Sequence, residues 1–421
     1  MTLQEHLLNT AESVLRPPEP DETRPPPPQA PASRPAGFSD LIAPMSPEQF
    51  FADYWEKQPL HLKGAGAERF AGLFSSADID RFLASTRPKP SRIEVVTSQG
   101  FVRENYLNHD GTANANLVAD RFVNGSTIIL AGLDETWEPL GGLVRGIEAE
   151  LNHPAGVAAY VTPPSVQGVQ PHYDTQENFL LQVEGSKHWK VYRPLHVAPP
   201  VQGSWSPAPR EKVGEPIFEA LLEAGDVLYI PRGFIHEGRA SDQVSLHLTV
   251  DVLVRTWHEF LASALGAMAD RDPSYRRSVP PGFLNSDEVL QAMTARFEEL
   301  LDRFRAGVRL EDAVMKHTEA LLVRRPPPPD GHFALLFAEI GADTRLKRRR
   351  ATLNRVFAND QMAGIQFAGN QLLGPLKILE TLQHIGSADS FCAADLPGPL
   401  SLQEKLVLVR RLVRTGLLGL A

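Results

Sequence analysis

From about residue 90 to 255 the chain is a succession of short apolar and β-branched runs cut by Gly, Pro, Asn and Asp. The runs fall at 93–96, 127–130, 158–162, 179–183, 188–192, 227–230 and 244–250. Each is too short to bury one face as a helix, whereas four to seven residues suffice for a strand. Many short strands joined by tight turns predict a mainly β sandwich or barrel. One helical insert interrupts it over 136–151, where Leu140, Leu143, Val144 and Ile147 share a face.

Both flanks have a different character. Residues 1–37 hold a short amphipathic pattern at 3–15, then a proline-rich stretch with Pro25 to Pro28 in a row. Proline removes backbone donors and fixes φ, so this reads as a disordered tether. Ser46-Pro47-Glu48 is a helix start, and the segment to Lys57 carries Phe50, Phe51, Tyr54 and Trp55 as core-facing aromatics. Residues 60–62 read as a strand, closing the opening of a domain over 38–256. Period-3.6 stripes at 256–268 and 287–305 mark a helical region over 257–325. A second block, Pro326 to Pro329, precedes a module over 330–421. There a hairpin (352–357 with 364–367) and helices suggest a winged-helix-like unit.

Composition narrows the function. Of 421 residues, 42% are hydrophobic and 22% charged, which excludes a wholly disordered or collagen-like chain and allows two or three domains. The net charge, 42 − 51 = −9, argues against coating nucleic acid by bulk charge. The basic run from Arg345 to Arg350 leaves direct nucleic-acid contact open, with a solvated helix end or loop as the favoured alternative. The single cysteine, Cys392, excludes an intrachain disulfide and a Cys-based zinc site, and it reads as a core residue rather than a nucleophile. With no apolar run long enough to span a bilayer and no signal-peptide pattern, the expectation is a cytoplasmic protein without membrane contact.

The chemistry concentrates in two segments. In Gln170-Pro171-His172-Tyr173-Asp174, His172 and Asp174 are one residue apart, so on a strand both side chains face the same way. A third ligand is offered by His236, beyond the apolar run 227–230 and the turn Pro231-Arg232-Gly233. Two histidines and one carboxylate on one side of an ion form a facial triad, which leaves positions for a co-substrate and dioxygen, as in non-haem Fe(II) oxygenases. A helical HExxH, the usual hydrolytic zinc signature, is missing from the sequence. Lys187 begins the strand after the Glu184-Gly185 turn. Facing inward it is costly unless it binds an anion such as the distal carboxylate of 2-oxoglutarate; the alternative is a solvated turn lysine. Tyr160 is either a second donor to that carboxylate or a core aromatic. His247 is expected to face the cavity and is not needed as a ligand.

Taken together, His172-Tyr173-Asp174, the stretch from Leu181 to Trp189, the stretch from Gly225 to His236, and Ser245 to Thr249 resemble the JmjC-domain ribosomal oxygenases, the cupin-4 group. The opening segment from Phe51 to Leu60 matches that family too. The resemblance covers 38–256 with specific motifs and the remainder loosely. It implies a double-stranded β-helix (the JmjC/cupin barrel), a helical dimerisation region and the winged-helix-like C-terminal module. It implies Fe(II) held by His172, Asp174 and His236, and 2-oxoglutarate held by Lys187 and Tyr160. Relatives often carry Asn two residues before that tyrosine, where this chain has Ala158. The implied activity is dioxygen-dependent hydroxylation of a His- or Arg-type side chain in a ribosomal protein, by a homodimer. The rival readings are the same chemistry on a tRNA base, a natural-product peptide or an N-methyl lysine, and a non-catalytic cupin-like scaffold.

Overall fold

The computed structural model describes residues 35–421 apart from 65, 98–99, 103–104, 196–204, 325–331 and 350–351. The expected helix at 3–15, the first proline row and the second proline block lie outside the described residues.

Among the described residues, thirteen strands build the β domain. They are β1 (Leu60–Leu62), β2 (Ile93–Thr97), β3 (Gly100–Val102), β4 (Thr127–Leu130), β5 (Ala155–Thr162), β6 (His172–Asp174), β7 (Glu177–Glu184), β8 (Ser186–Tyr192), β9 (Trp205–Pro207), β10 (Phe218–Glu223), β11 (Val227–Ile230), β12 (Ile235–Ala240) and β13 (Ser245–Val252). They form two antiparallel sheets, one of order β1-β11-β7-β13-β5-β4-β2-β3 and one of order β10-β8-β12-β6-β9. The chain passes back and forth between the sheets, giving the double-stranded β-helix. All seven strands read from the sequence are present. The sequence does not reveal β3, β9, β10 and β12: β3 and β9 are only three residues long, and in β10 and β12 exposed or polar residues such as Glu219, Glu237 and Arg239 break up the apolar pattern.

Period-2 alternation explains which face does what. On β13, Leu246, Leu248, Val250 and Val252 are buried on one side. His247 and Thr249 line the cavity on the other. The apolar side of the larger sheet packs against the helices Phe38–Ile42, Pro47–Asp53 and Glu138–Leu151 in one continuous core. Phe38, Phe50, Phe179 and Tyr229 make an aromatic cluster there, with ring centroids 4.8–5.9 Å apart. Each such ring contributes roughly 1.5–3 kcal/mol by leaving water.

The aromatic helix is shorter than the expected span to Lys57. It stops at Asp53 because Glu56 takes a left-handed conformation (φ 56°), and its N–H donates to the Tyr229 hydroxyl at 2.9 Å. This turn delivers β1 to the edge of β11. Phe51 is exposed, in contrast to the core placement expected of it.

Beyond β13 follow the helices Trp257–Arg271, Asp287–Gly307 and Leu310–Arg324. The last module has its own core. It contains the three-stranded sheets β15 (Asn354–Ala358), β16 (Met362–Phe367), β17 (Asn370–Pro375) and β18 (Ser390–Phe391), β14 (Leu346–Arg348), β19 (Leu418–Leu420), with helices Leu379–Ser387 and Leu402–Arg414. The basic run falls on a strand rather than a helix end or loop: Arg345 and Lys347 are exposed, as expected of a solvated run, but Leu346 is in the core and buried Arg349 donates to the Gly416 carbonyl at 3.3 Å. Arg350 lies outside the described residues. Cys392 is half-buried, and its thiol faces the Asp343 carbonyl at 3.5 Å.

Candidate active site

The triad is assembled by one backbone contact. Gly233 adopts φ 84°, a left-handed conformation that glycine takes without strain, and its N–H donates to the Asp174 carbonyl at 2.8 Å. The turn is thereby fastened to β6, and β12 starts in a register that sets His236 opposite His172. The two rings lie with centroids 4.3 Å apart. Asp174 Oδ2 is 3.9 Å from His172 Nε2 and 3.5 Å from His236 Nε2. One ligand atom from each of the three residues lies within 4.8 Å of the others.

The imidazoles are set for coordination. His172 Nδ1 donates to the Gln170 carbonyl at 2.7 Å and His236 Nδ1 to the Phe234 carbonyl at 3.1 Å. Each bond assigns the ring proton to Nδ1 and the lone pair to Nε2, the nitrogen turned toward Asp174. Burial, reinforced by the nearby His236, pushes His172 well below the usual imidazole value, so it is neutral at pH 7. Burial also raises the Asp174 carboxyl, against the pull of His236 and of Asn178, whose amide donates to Oδ2 at 2.5 Å. A cation between these three groups would relieve the desolvated carboxylate, so the donor set fits a divalent metal.

Across the cavity lies Lys187, 2% exposed on β8. Its Nζ donates to Thr162 Oγ1 at 3.1 Å and lies 5.1 Å from the centroid of the Trp189 ring. Among the described residues no carboxylate pairs with it, and burial alone lowers its pKa to about 7. Lys190 alternates to the outer face and pairs with Glu219 at 3.5 Å, as the strand period requires. Tyr160 is half-buried in the cavity wall, stacked on His247 at 4.9 Å. The space between measures about 370 Å³ including its mouth. Three buried polar atoms of its lining residues, His247 Nδ1, Trp189 Nε1 and Asn178 Oδ1, have no hydrogen-bond partner among the described residues.

The sequence reading therefore placed His172, Asp174, His236, Lys187 and Tyr160 around one cavity. It missed Thr162, Trp189 and Asn178. Two of these carried a signal. Trp189 is two residues from Lys187, hence on the same strand face, and Asn178 shares the face of Leu180 and Gln182. The Asp226 of the second motif is structural. Burial raises its carboxyl, but bonds from Gly64 N–H (2.8 Å), His61 (2.8 Å) and Glu223 N–H (3.1 Å) bring it below the ordinary value and tie β1 to β11.

A double-stranded β-helix with two histidines and a carboxylate on neighbouring strands defines a cupin-type metal site. A JmjC domain matches residues 145–260. Ribosomal oxygenase 1 of Gallus gallus is 36% identical over 277 residues, spanning 62% of this chain and 46% of that protein. The bifunctional lysine-specific demethylase and histidyl-hydroxylase NO66 of Aedes aegypti is 32% identical over 305 residues, 68% of this chain and 47% of that protein. The chain thus spans about half the length of the curated relatives it matches. Among solved structures, the ycfD protein of E. coli superposes over 89% of this chain and 98% of its own, with TM-score 0.56 and 19% identity, a likeness of fold. A structure of YcfD with cobalt and 2-oxoglutarate superposes at TM-score 0.52 and 18% identity, over 88% and 97%. Residues 145–260 thus form a JmjC domain, and the chain is similar to the ribosomal oxygenases over about two thirds of its own length.

Proposed function

We propose that the protein is an Fe(II)- and 2-oxoglutarate-dependent oxygenase that hydroxylates a His- or Arg-type side chain of a ribosomal protein. The observation that carries this reading is Lys187, a buried amine that no carboxylate among the described residues pairs with, facing the cavity of the His172-Asp174-His236 cluster. An isolated buried charge is retained only where an anion completes it. A short dicarboxylate fits: one end toward the metal, the other toward Lys187 Nζ with the hydroxyls of Thr162 and Tyr160 beside it.

His172, Asp174 and His236 would hold the metal, and bound iron would supply the activation of dioxygen, coupled to decarboxylation of 2-oxoglutarate to succinate. The remaining steps belong to the chain. The two Nδ1–carbonyl bonds fix the ring planes, and Asn178 fixes the carboxylate. Lys187 orients the co-substrate without itself transferring a proton. Trp189, Leu180 and Val169 keep the cavity wall dry.

Support for a ribosomal substrate comes from the relatives' names, and the NO66 name also includes lysine demethylation. We place the catalytic domain at 38–256, the helical region at 257–325 and the winged-helix-like module at 330–421, in a cytoplasmic homodimer. Exposed Trp257, Leu261 and Leu265 form an apolar stripe on one helix, and Leu290 and Phe297 extend an apolar face on the next; both suit a second copy. Light scattering that gives a monomer mass would remove the dimer. Mass spectrometry of ribosomal proteins from cells with and without this gene tests the activity. A one-oxygen gain that depends on the gene is expected. Loss of a methyl group from lysine instead would establish demethylation, and succinate release with neither change would point to a non-ribosomal substrate.

A further inference from the structure

Lys187 does not reach the cavity unaided. Two glycines on separate segments close around it. Gly168, in the loop after β5, donates its N–H to the Gly238 carbonyl of β12 at 2.9 Å, so the pair lies side by side over the lysine. A methyl group built on Gly168 would stand 3.1 Å from Lys187 Nζ and 3.3 Å from the Gly238 carbonyl oxygen. One built on Gly238 would stand 3.0 Å from Lys187 Cε and 3.0 Å from two carbons of the Trp189 ring. Both distances are below ordinary carbon contact, and the Trp189 ring and Thr162 hydroxyl enclose the ammonium from other sides.

We infer that Gly168 is a positioning residue for the co-substrate. Its missing side chain is the space in which the Lys187 ammonium sits, and Gly238 serves the lysine stem in the same way. An ammonium has three N–H donors. One is taken by Thr162, and the slot holds the group so that the others face the cavity anion. A methyl at 168 would press on Nζ itself and displace those donors. The backbone of Gly168 is not in the left-handed region, so its glycine is explained by this contact and not by a turn. The inference rests on the reading of Lys187 as the co-substrate cation.

The test is Gly168→Ala in the full chain, loaded with Zn(II) so that no turnover occurs, with 2-oxoglutarate binding followed by calorimetry. The expected result is a dissociation constant raised about tenfold or more, with Zn(II) affinity unchanged. In a Lys187→Ala background the methyl meets only the Gly238 carbonyl, so Gly168→Ala should lower the thermal midpoint less there than in the wild type. Should Gly168→Ala fail to fold, Gly238→Ala presses on the stem of the same lysine and carries the same affinity expectation. Wild-type affinity in the variant, a parallel fall in metal affinity, or an equal thermal loss in both backgrounds would overturn the role. A wild type that binds metal but no 2-oxoglutarate would instead overturn the functional reading beneath it.

Discussion

Raising the pH should weaken 2-oxoglutarate binding by an amount set by Lys187. Burial lowers its pKa from 10.5 to about 7. The bound dicarboxylate favours the ammonium form, so binding requires a proton that the free protein holds only half the time at pH 7. Above that value the apparent dissociation constant scales as one plus ten to the power of pH minus 7. It should rise about fivefold from pH 7 to 8 and about ninefold again to pH 9, about 2 kcal/mol in all. His247 does not interfere, since burial, with Lys187 and His236 adding to it, holds it well below its usual value. The assay is calorimetry on the Zn(II)-loaded protein in buffers of different ionisation heat. At pH 7 complex formation should take up about half a proton, seen as a buffer-dependent enthalpy. An affinity constant from pH 7 to 9, with no proton uptake, would refute the claim that this amine binds the anion.

Three further outcomes follow from the same contacts. Lys187→Met should make the free protein more resistant to urea near pH 7. The unfolded chain keeps the lysine proton up to 10.5 and the native one only to about 7, so wild-type stability rises across that window by up to about 5 kcal/mol; the gap between variant and wild type should close by pH 10.5. His172→Ala or Asp174→Ala should abolish metal binding and succinate formation while leaving the far-ultraviolet dichroism unchanged, since neither side chain belongs to the hydrophobic core. Asp226→Asn should cost about 1–3 kcal/mol by weakening the bonds to Gly64, His61 and Glu223, read as faster hydrogen exchange at 60–64 with metal affinity intact.

Much of the barrel was legible because each of its strands is a local event. Alternation in 244–250 separates an apolar face from a polar one, and Gly and Pro mark the ends. The same period placed His172 with Asp174 and Lys187 apart from Lys190. It did not reveal β10 and β12, whose exposed charges hide the pattern, nor the burial of Arg349, which depends on the carbonyl of distant Gly416.

The amino-acid order by itself determined which groups could act: two imidazoles, a carboxylate and a lysine, each on a face fixed by strand geometry. Only the tertiary structure decided that they share one cavity. Residues 172 and 236 meet because Gly233 bonds to Asp174 and sets the register of β12. Among the described residues no carboxylate reaches the Lys187 amine, because β5, β8 and the loop at Gly168 close around it. Such contacts join residues far apart along the chain, and local periodicity carries no record of them.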